Sequence, residues 1–506
     1  MDFAISHTRA IVGIAAPAIT VETHLTRGIP AFIIVGLPET CIRESKDRIR
    51  SALLATTYEF PSKRIITNLA PADLPKSGSR FDLPIAISIL AASHQIPHQS
   101  LSRYELVGEL GLNGELRKTD AILPIAIAAK ASGRALILPI ENAEEAALIK
   151  ELDIYPAKHI QEVCRHLRSE NTLISFKPNL SIKIKRDEPD MREVKGQPQA
   201  RRALEIAAAG GHNLLMIGPP GTGKTMLASR LPGILPEMTE KEALESAAIK
   251  SITRTLNPKT WKVRPFRTPH HSASNIALVG GGNPPRPGEV SLAHQGILFL
   301  DELPEFNRGV LDSLRQPIES GKILISRAAK QAEFPAQFQL IAAMNPCPCG
   351  YLTDPARECR CTPDQILRYQ GKISGPILDR IDMHIEIQRL PLIRLTELSQ
   401  EQSECSDTIR KRVEASRAKQ LMRSNKCNAQ LTQKDIETFC SLAKKNLDYL
   451  QAASDKLKLS ARAYFRVLKV ARTIADLEEK AEIERTHLLE ALSTRTFIPQ
   501  LCSCRS

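Results

Sequence analysis

The sequence is poor in aromatic side chains. Phe, Trp and Tyr make up 4% of its 506 residues, and there is one tryptophan, so the composition does not indicate a platform on which single-stranded bases stack. The sequence also lacks an apolar run near the roughly 18 residues of a membrane span. Its first residues lack the charged and then apolar layout of a signal peptide. We therefore expect a cytoplasmic protein without a membrane partner.

Acidic side chains are in the minority. The chain has 69 Lys and Arg residues against 56 Asp and Glu residues, so its formal net charge is +13. Such a balance favours an anionic partner, with nucleic acid ahead of a membrane surface. It excludes nothing on its own, because many basic proteins bind neither.

One glycine-rich stretch organises the chain. It follows the apolar run 213–217 and precedes the helical pattern 226–231, which is the strand–loop–helix context of a phosphate-binding P-loop. Glycines allow successive backbone N–H groups to face one anion. Lys224 is expected to reach the β- and γ-phosphates, and Thr225 to hold Mg²⁺. The stretch reads Gly218-Pro219-Pro220-Gly221-Thr222-Gly223-Lys224-Thr225.

A second apolar run, residues 296–300, ends in two carboxylates, Asp301 and Glu302. We interpret it as a buried parallel strand that presents both acids at its carboxyl end, where such sheets bind ligands. Asp301 is expected to contact Mg²⁺, directly or indirectly, and Glu302 to polarise the attacking water. The alternative is a strand that merely enters a solvated turn. The P-loop earlier in the chain favours the catalytic interpretation.

Four cysteines follow the next apolar run, residues 338–344, and its polar end, Asn345. Their spacing is C-x-C-x₉-C-x-C, which is tighter than that of most zinc sites. Four thiolates can nevertheless close a tetrahedral Zn²⁺ site. A reduced cysteine-rich loop is the alternative. The four are Cys347, Cys349, Cys359 and Cys361.

The first third of the chain alternates short apolar runs with helical patterns. Residues 11–14 and 31–36 are predicted as buried strands, and residues 64–69 as a further strand. Helices are predicted over 44–55, 82–92 and 121–132. Charges, a proline and a polar run then make residues 165–190 the best candidate for a linker.

This first region resembles the ribosomal-S5-like fold of Lon-type proteases, in the version that opens magnesium-chelatase-like proteins. A Lon-type protease needs a serine at the start of one helix and a lysine from the next, and here these stretches read 81–84 Phe-Asp-Leu-Pro and 121–124 Ala-Ile-Leu-Pro. Ser77, Ser79 and Lys76 lie nearby, but we do not expect them to form a dyad. The resemblance rests on Gly36-Leu37-Pro38, Asn68-Leu69-Ala70-Pro71-Ala72-Asp73-Leu74, Phe81-Asp82-Leu83-Pro84-Ile85-Ala86 and residues 108–116.

The remainder resembles AAA+ ATPases. Gly196 and Gln197 match the element that lines the adenine pocket, and Asn345 matches sensor 1, which orients water against the γ-phosphate. Residues 375–382 resemble the arginine-finger segment of the clade of MCM helicases and magnesium chelatase. The resemblance implies that Arg380 enters the ATP site of a neighbouring subunit, so that the protein forms a ring; a local salt bridge with a flanking aspartate is the alternative. Arg462 matches sensor 2.

Two further segments bear on a nucleic-acid partner. His270 and His271 are adjacent, and since neighbours on a strand point to opposite sides, we do not expect them to share a metal. In the related helicases this region carries the helix-2 insert, a loop that faces the central pore. Residues 321–330 resemble a pre-sensor-1 hairpin, on which Arg327 and Lys330 are candidates for contacts with DNA phosphates; solvated hairpin charges are the alternative.

Nearly the whole chain thus resembles the ComM/YifB family of magnesium-chelatase-like AAA+ proteins. The implied fold is α/β: an AAA+ P-loop core with a parallel sheet between helices, a helical lid, and a preceding S5/Lon-protease-like α+β domain. The expected domains are residues 1–168 (S5/Lon-like, without a proteolytic dyad), 169–189 (linker), 190–393 (AAA+ core with insert, hairpin and cysteine knuckle) and 394–506 (lid).

The family resemblance implies a homo-hexameric ATPase that uses ATP and Mg²⁺ and acts on single-stranded and branched DNA. Its expected role is branch migration during recombination of DNA taken up in natural transformation, with recombination proteins as further partners. One alternative is a chelatase-type motor that acts on a protein partner during metal insertion. An ATP-dependent protease is disfavoured by the missing serine and lysine, and a non-enzymatic scaffold would leave Glu302 and Arg380 idle.

Overall fold

The computed structural model describes residues 2–37, 40–177, 188–327, 330–389, 403–457 and 459–495. The chain forms two compact units. Unit 1 comprises residues 1–184, 244–261 and 332–334, and unit 2 comprises residues 185–243, 262–331 and 335–506. Parts of the expected linker and of the start of the lid lie outside the described residues, and the domain boundaries given above stay predictions.

Unit 1 contains a four-stranded sheet in the order β1-β2-β4-β3, a parallel three-stranded sheet in the order β5-β8-β9, and the pair β6-β7. In the larger sheet only β3 and β4 run parallel. The strands are β1 (Phe3–Arg9), β2 (Ala18–Thr26), β3 (Ala31–Val35), β4 (Arg64–Ala70), β5 (Tyr104–Leu106), β6 (Glu109–Leu110), β7 (Leu116–Arg117), β8 (Ala135–Pro139) and β9 (Ile154–Ala157).

The helices of unit 1 fill its core. After its first residue, Asp82–Ala92 has Ser88 as its one polar residue, and every residue of the helix is buried, as expected for a helix without a polar face. Helix Glu240–Ile252 belongs to unit 1 from residue 244 onward. The other helices are Thr40–Leu54, Ile122–Ala131, Ala143–Ala146 and Ile160–Leu167.

Two sequence predictions for unit 1 are wrong. Residues 11–14 form a tight turn between β1 and β2, in which Val12 and Ala15 exchange both backbone hydrogen bonds. Gly13 supplies the left-handed backbone that such a turn requires, with φ of +59°. The strand predicted over residues 31–36 exists as β3, but only Ile34 in it is buried, because β3 is an edge strand of its sheet.

Unit 2 is built on a parallel five-stranded sheet in the order β11-β14-β17-β10-β18. Every residue of β10, β14 and β17 is buried, which explains their continuous apolar sequences. Two further pairs, β12-β13 and β15-β16, are hairpins. The strands between residues 214 and 386 are β10 (Leu214–Ile217), β11 (Phe266–Arg267), β12 (Gly280–Gly281), β13 (Arg286–Pro287), β14 (Ile297–Leu300), β15 (Lys322–Arg327), β16 (Lys330–Pro335), β17 (Gln339–Met344) and β18 (Met383–Glu386). Of these, residues 332–334 of β16 are assigned to unit 1.

The described residues after 403 are helical, without a strand. Helix Ala461–Leu477 buries Val467, Val470, Ala471 and Ile474 in the same apolar core as β10 and β17. The α/β fold class predicted from the sequence, with a parallel sheet and a helical C-terminal region, is confirmed. The helices of unit 2 are Pro198–Gly210, Lys224–Ile234, Asn275–Val279, Glu289–Leu292, Arg308–Ser313, Arg315–Ser320, Pro363–Gln370, Gly375–Leu378, Ser406–Ser424, Gln433–Phe439, Lys444–Leu457, Ala461–Leu477 and Arg485–Ser493.

Across the described part of the chain, we find no helix with both the length and the apolar character needed to cross a bilayer.

Candidate functional site

The P-loop connects β10 to helix Lys224–Ile234. Gly218 packs so closely against β18's end that a Cβ there would lie 2.3 Å from the Ile387 carbonyl oxygen, so only glycine fits. Gly223 has a φ of +84° and caps the helix. The first backbone N–H groups of a helix have no intrahelical acceptors, and the loop therefore ends at a set of donors suited to an anion.

Lys224 lies at the centre of this loop, with only 9% of the residue exposed. Its Nζ donates to the carbonyl oxygens of Gly218 and Pro219, at 2.7 and 2.9 Å, and to Asn345 Oδ1 at 3.1 Å. Burial lowers the pKa of Lys224, while the carboxylates of Asp301 and Glu302 oppose that effect. The contact with Asn345 joins the ends of β10 and β17, which are neighbours in the sheet.

Thr225 and Asp301 form the second contact of the site. The Thr225 hydroxyl donates to Asp301 Oδ2 at 2.6 Å, and Asp301 Oδ1 accepts from the backbone N–H of Glu302 at 2.9 Å. Asp301 directly follows β14, so this contact joins the start of the P-loop helix to a third strand end. A hydroxyl and a carboxylate are hard oxygen ligands of the kind that Mg²⁺ prefers.

Glu302 has a left-handed backbone, with φ of +53°, which is uncommon for a residue other than glycine. Its side chain is 55% exposed, and Oε2 lies 3.5 Å from Nδ1 of His271. Backbone strain of this kind tends to be kept at functional sites. The acid predicted to activate water is therefore held by the end of one strand and faced by an imidazole from another segment.

The sequence placed the two adjacent histidines in the region of the helix-2 insert and indicated no role for His271 beside Glu302. The rings of His270 and His271 lie 4.1 Å apart, centroid to centroid, and His270 Nδ1 is 2.8 Å from the Ser272 hydroxyl. The segment follows β11, the strand beside β14. His271 lies near Glu302 because β11 and β14 are neighbours in the sheet. The spacing of residues along the sequence does not indicate this contact.

Gly196 and Gln197 lie just before helix Pro198–Gly210. Both have left-handed backbones, with φ of +65° and +55°, and Gln197 Nε2 donates to the Gln388 carbonyl oxygen at 2.6 Å. The pair thus connects the start of this helix to the segment after β18. Its role beside an adenine stays a prediction.

Arg380 and Arg462, the arginines predicted to contact nucleotide, take no part in the contacts of the P-loop described above. Arg380 is largely buried; Nη2 pairs with Glu319 Oε1 at 2.7 Å, and Nη1 donates to the Pro376 carbonyl oxygen at 2.7 Å. Among the ion pairs of the described residues, Arg380 has none with Asp379 or Asp382. Arg462 is exposed in the first turn of helix Ala461–Leu477. Within the described part of the chain, neither arginine shares a hydrogen bond or ion pair with the P-loop.

The four predicted metal ligands converge. The Sγ atoms of Cys347, Cys349, Cys359 and Cys361 all lie within 4.8 Å of one another. The Sγ–Sγ distances are 3.3 Å for Cys347–Cys349 and 3.6 Å for both Cys347–Cys359 and Cys349–Cys359. Sulfurs bound tetrahedrally at about 2.3 Å from Zn²⁺ lie roughly 3.8 Å apart. The cluster therefore has nearly the dimensions of a four-thiolate zinc site.

The predicted hairpin and the Ser–Lys region of unit 1 lie apart from the ATP site in the sequence. β15 and β16 form the expected hairpin, but the side chains of Arg327 and Lys330 lie outside the described residues. In unit 1, Ser79 donates to a carboxylate oxygen of Glu109, and the buried Lys76 ammonium donates to the Pro71 carbonyl oxygen. Burial lowers the pKa of Lys76. The serine and the lysine are thus bonded to other groups.

A parallel sheet that gathers a P-loop lysine, a Thr–Asp pair and an asparagine at its carboxyl edge, followed by a helical region, defines a P-loop protein of the AAA+ class. Family models agree: residues 190–395 match "Magnesium chelatase, subunit ChlI", residues 21–142 match "Subunit ChlI of Mg-chelatase", and residues 403–495 match "Magnesium chelatase, subunit ChlI C-terminal".

Full-length relatives narrow the family. The chain is 50% identical over 498 residues to "Uncharacterized protein YifB" of Escherichia coli and 50% identical over 508 residues to "Competence protein ComM" of Haemophilus influenzae. It is 51% identical over 499 residues to "Uncharacterized protein YifB" of Salmonella typhimurium. Each match covers 98% of both chains. The chain belongs to the ComM/YifB family of magnesium-chelatase-like AAA+ proteins, as its sequence motifs predicted.

Proposed function

We propose that this protein is an ATP-driven motor that acts on DNA and promotes branch migration when incoming DNA recombines during natural transformation. The observation that carries the ATPase part is the pair of contacts Lys224–Asn345 and Thr225–Asp301, which brings together three strand ends at the residues proposed to hold phosphate and metal. The DNA part is supported by the similarity to a competence protein over 98% of the chain and by the net charge of +13.

At the ATP site, the backbone of residues 218–223 would cradle the phosphates, and Lys224 would bind the β- and γ-phosphates. Thr225 and Asp301 would hold Mg²⁺, which supplies charge neutralisation at the phosphates. Glu302 would accept a proton from the attacking water, and Asn345 would orient that water. Gly196 and Gln197 would contact the adenine. In this arrangement, Lys224 would turn from the loop carbonyl oxygens to the phosphates.

The proposed assembly is a homo-hexameric ring. Arg380 would stabilise the transition-state charge on the nucleotide of a neighbouring subunit, and Arg462 would contact the γ-phosphate from the lid. Since Arg380 pairs with Glu319 in the single chain, its insertion into a neighbouring site requires that this pair break. Glu319 would then hold the arginine in place until a neighbour with ATP competes for it.

We propose further that Cys347, Cys349, Cys359 and Cys361 hold a structural Zn²⁺. Support comes from the closeness of the four sulfurs, which all lie within 4.8 Å of one another, and from the backbone N–H of Cys349, which donates to Cys361 Sγ at 3.4 Å. Metal analysis of the purified protein should give about one zinc per chain. Cys359→Ser should lose it, and a wild-type protein without zinc would contradict the proposal.

DNA would be moved by segments that face the pore of the ring, with Arg327 and Lys330 on the β15-β16 hairpin as candidate phosphate contacts. The test is a strand-exchange assay on a labelled three-stranded junction, with ATP, with a non-hydrolysable analogue, and with ATP plus Lys224→Ala protein. Branch movement only with ATP and wild-type protein would support the proposal. Movement that is equal in all three reactions, at low and moderate salt, would refute it.

A chelatase-type motor is the second candidate, and it is favoured by the three family models named for magnesium chelatase. Such a motor would act on a protein partner, so its ATP hydrolysis would be indifferent to DNA. The similarity to a competence protein over 98% of both chains supports the DNA motor over this candidate.

A further inference from the structure

The four-cysteine segment, residues 347–361, lies directly against the P-loop. Gly350 is buried, with a φ of +84°. A Cβ on it would lie 2.6 Å from Pro220 Cδ and 3.8 Å from Asn345 Cγ. The backbone of this segment, which we call the cysteine knuckle, therefore packs on a proline of the P-loop and beside the asparagine that binds Lys224.

The cysteine knuckle has almost no apolar core of its own. It contains no helix or strand, and among residues 351–361 only Asp354 is buried. Its other contacts include turn hydrogen bonds, such as Gly350 N to Cys347 O at 3.0 Å, and an ion pair of Asp354 with Arg389 at 3.3 Å. Arg357 also donates to the Tyr351 hydroxyl at 2.8 Å and lies over its ring. Small segments of this kind usually depend on a metal for a defined structure.

Both ends of the cysteine knuckle are anchored in the ATP-site framework. At one end, Asn345 follows β17 and accepts from Lys224. At the other end, Cys361 is followed by Thr362, which caps helix Pro363–Gln370. Gln370, at the end of this helix, connects the two ends of the knuckle, because its Nε2 donates to the Pro346 carbonyl oxygen at 2.9 Å. With these ends held, the position of Gly350 depends on how the four sulfurs are joined.

We infer that a metal ion in the cysteine knuckle keeps the knuckle packed against the P-loop, so that metal loading sets the affinity for nucleotide. The metal would hold Gly350 against Pro220 and thereby keep the loop in the shape that receives phosphates. This inference rests on the proposed zinc site and goes beyond the proposed motor activity. Loss of the metal should weaken nucleotide binding and raise KM, while kcat at saturating ATP changes little.

The first experiment disturbs the contact and leaves the thiols in place. In the full-length protein, Gly350→Ala places a methyl group against Pro220. We expect it to keep about one zinc per chain and to raise the Kd for a fluorescent ATP analogue about tenfold. Gly133→Ala is the matched control, because Gly133 also has a positive φ, +65°, but no atom lies within 4 Å of its added Cβ. An unchanged Kd in Gly350→Ala would overturn the inference.

The second experiment removes the metal and leaves Gly350 in place. Cys359→Ser, or wild-type protein treated with a zinc chelator, should bind the same analogue about tenfold more weakly. Restoring Zn²⁺ to the chelated protein should recover the affinity. Cys405→Ser is the control, since the serine hydroxyl can keep the bond of Cys405 to Thr408. Zinc loss with an unchanged Kd would overturn the inference. All binding is measured without DNA, so failure of the proposed DNA activity would leave this result untouched.

Discussion

Glu302 is the residue on which the proposed chemistry depends, and its geometry has two sources. Its backbone is set by the end of β14, where the Asp301 side chain accepts its N–H. Its side chain is faced by His271, 3.5 Å away. A mobile carboxylate spends part of its time away from the attacking water, and effective catalysis needs a near-attack arrangement. His271 is thus placed to position the proposed base without touching the nucleotide.

His271→Ala should lower kcat for ATP hydrolysis roughly fivefold, with KM almost unchanged, because positioning of a base affects the chemical step more than binding. His271→Gln, whose amide can donate to Glu302, should recover most of the rate. His270→Ala is the neighbouring control and should behave like wild type. Steady-state kinetics at saturating Mg²⁺ check this prediction. A rise in KM at constant kcat would instead assign His271 to nucleotide binding.

At the scale of the elements, a buried carboxylate joins the sheet to the helical region. Asp382 precedes β18; its Oδ2 accepts from Asn213 N at 2.9 Å and lies 3.7 Å from His212 Nδ1. Its Oδ1 pairs with Arg466 of helix Ala461–Leu477. Although burial opposes it, the charges and hydrogen bonds of Arg466, His212 and Asn213 hold the pKa of Asp382 well below the ordinary value of 3.8.

A lowered pKa means that Asp382 stabilises the fold above pH 3.8 and that this contribution is lost as the pH falls through the lower, folded-state value. At pH 7, Asp382→Asn should destabilise unit 2 by about 3 kcal/mol, because it leaves Arg466 without its buried partner. The gap in thermal midpoint between wild type and variant should narrow below pH 4. Asp379→Asn is the control, because Asp379 has no salt bridge among the described residues. A gap that stays constant down to pH 3 would contradict this account.

The sequence predicted the elements whose signal is local. β10, β14 and β17 are continuous apolar runs. They are followed by the glycine loop, by two acids and by an asparagine, respectively. The sequence therefore predicted both the strands and the roles proposed for the residues at their ends. The contact of His271 with Glu302 could not, because it depends on which strand lies beside β14. The same holds for Gly350 and Pro220, which are far apart in the chain. The strand predicted over residues 11–14 was wrong, because a short apolar run around a glycine is compatible with a turn as well as with a strand.

At the scale of the whole molecule, the proposed ring makes each ATP site a product of two subunits. Arg380→Ala and Lys224→Ala should each abolish hydrolysis in a uniform ring. When the two variants are mixed, some interfaces combine an intact P-loop with an intact Arg380, and part of the activity should return. The measurement is ATP hydrolysis as a function of mixing ratio. If Arg380 acts only within its own chain, through Glu319, no ratio will restore activity.

The most direct test of the account is ATP hydrolysis by the full-length protein without DNA, with single-stranded DNA, and with forked or three-stranded DNA, for wild type and Glu302→Gln. The account predicts that DNA stimulates the wild type, that the branched form is an effective stimulator, and that Glu302→Gln binds ATP but loses at least about a hundredfold in kcat. Wild-type hydrolysis that no DNA form changes, at low as well as moderate salt, would contradict it and point to a protein partner.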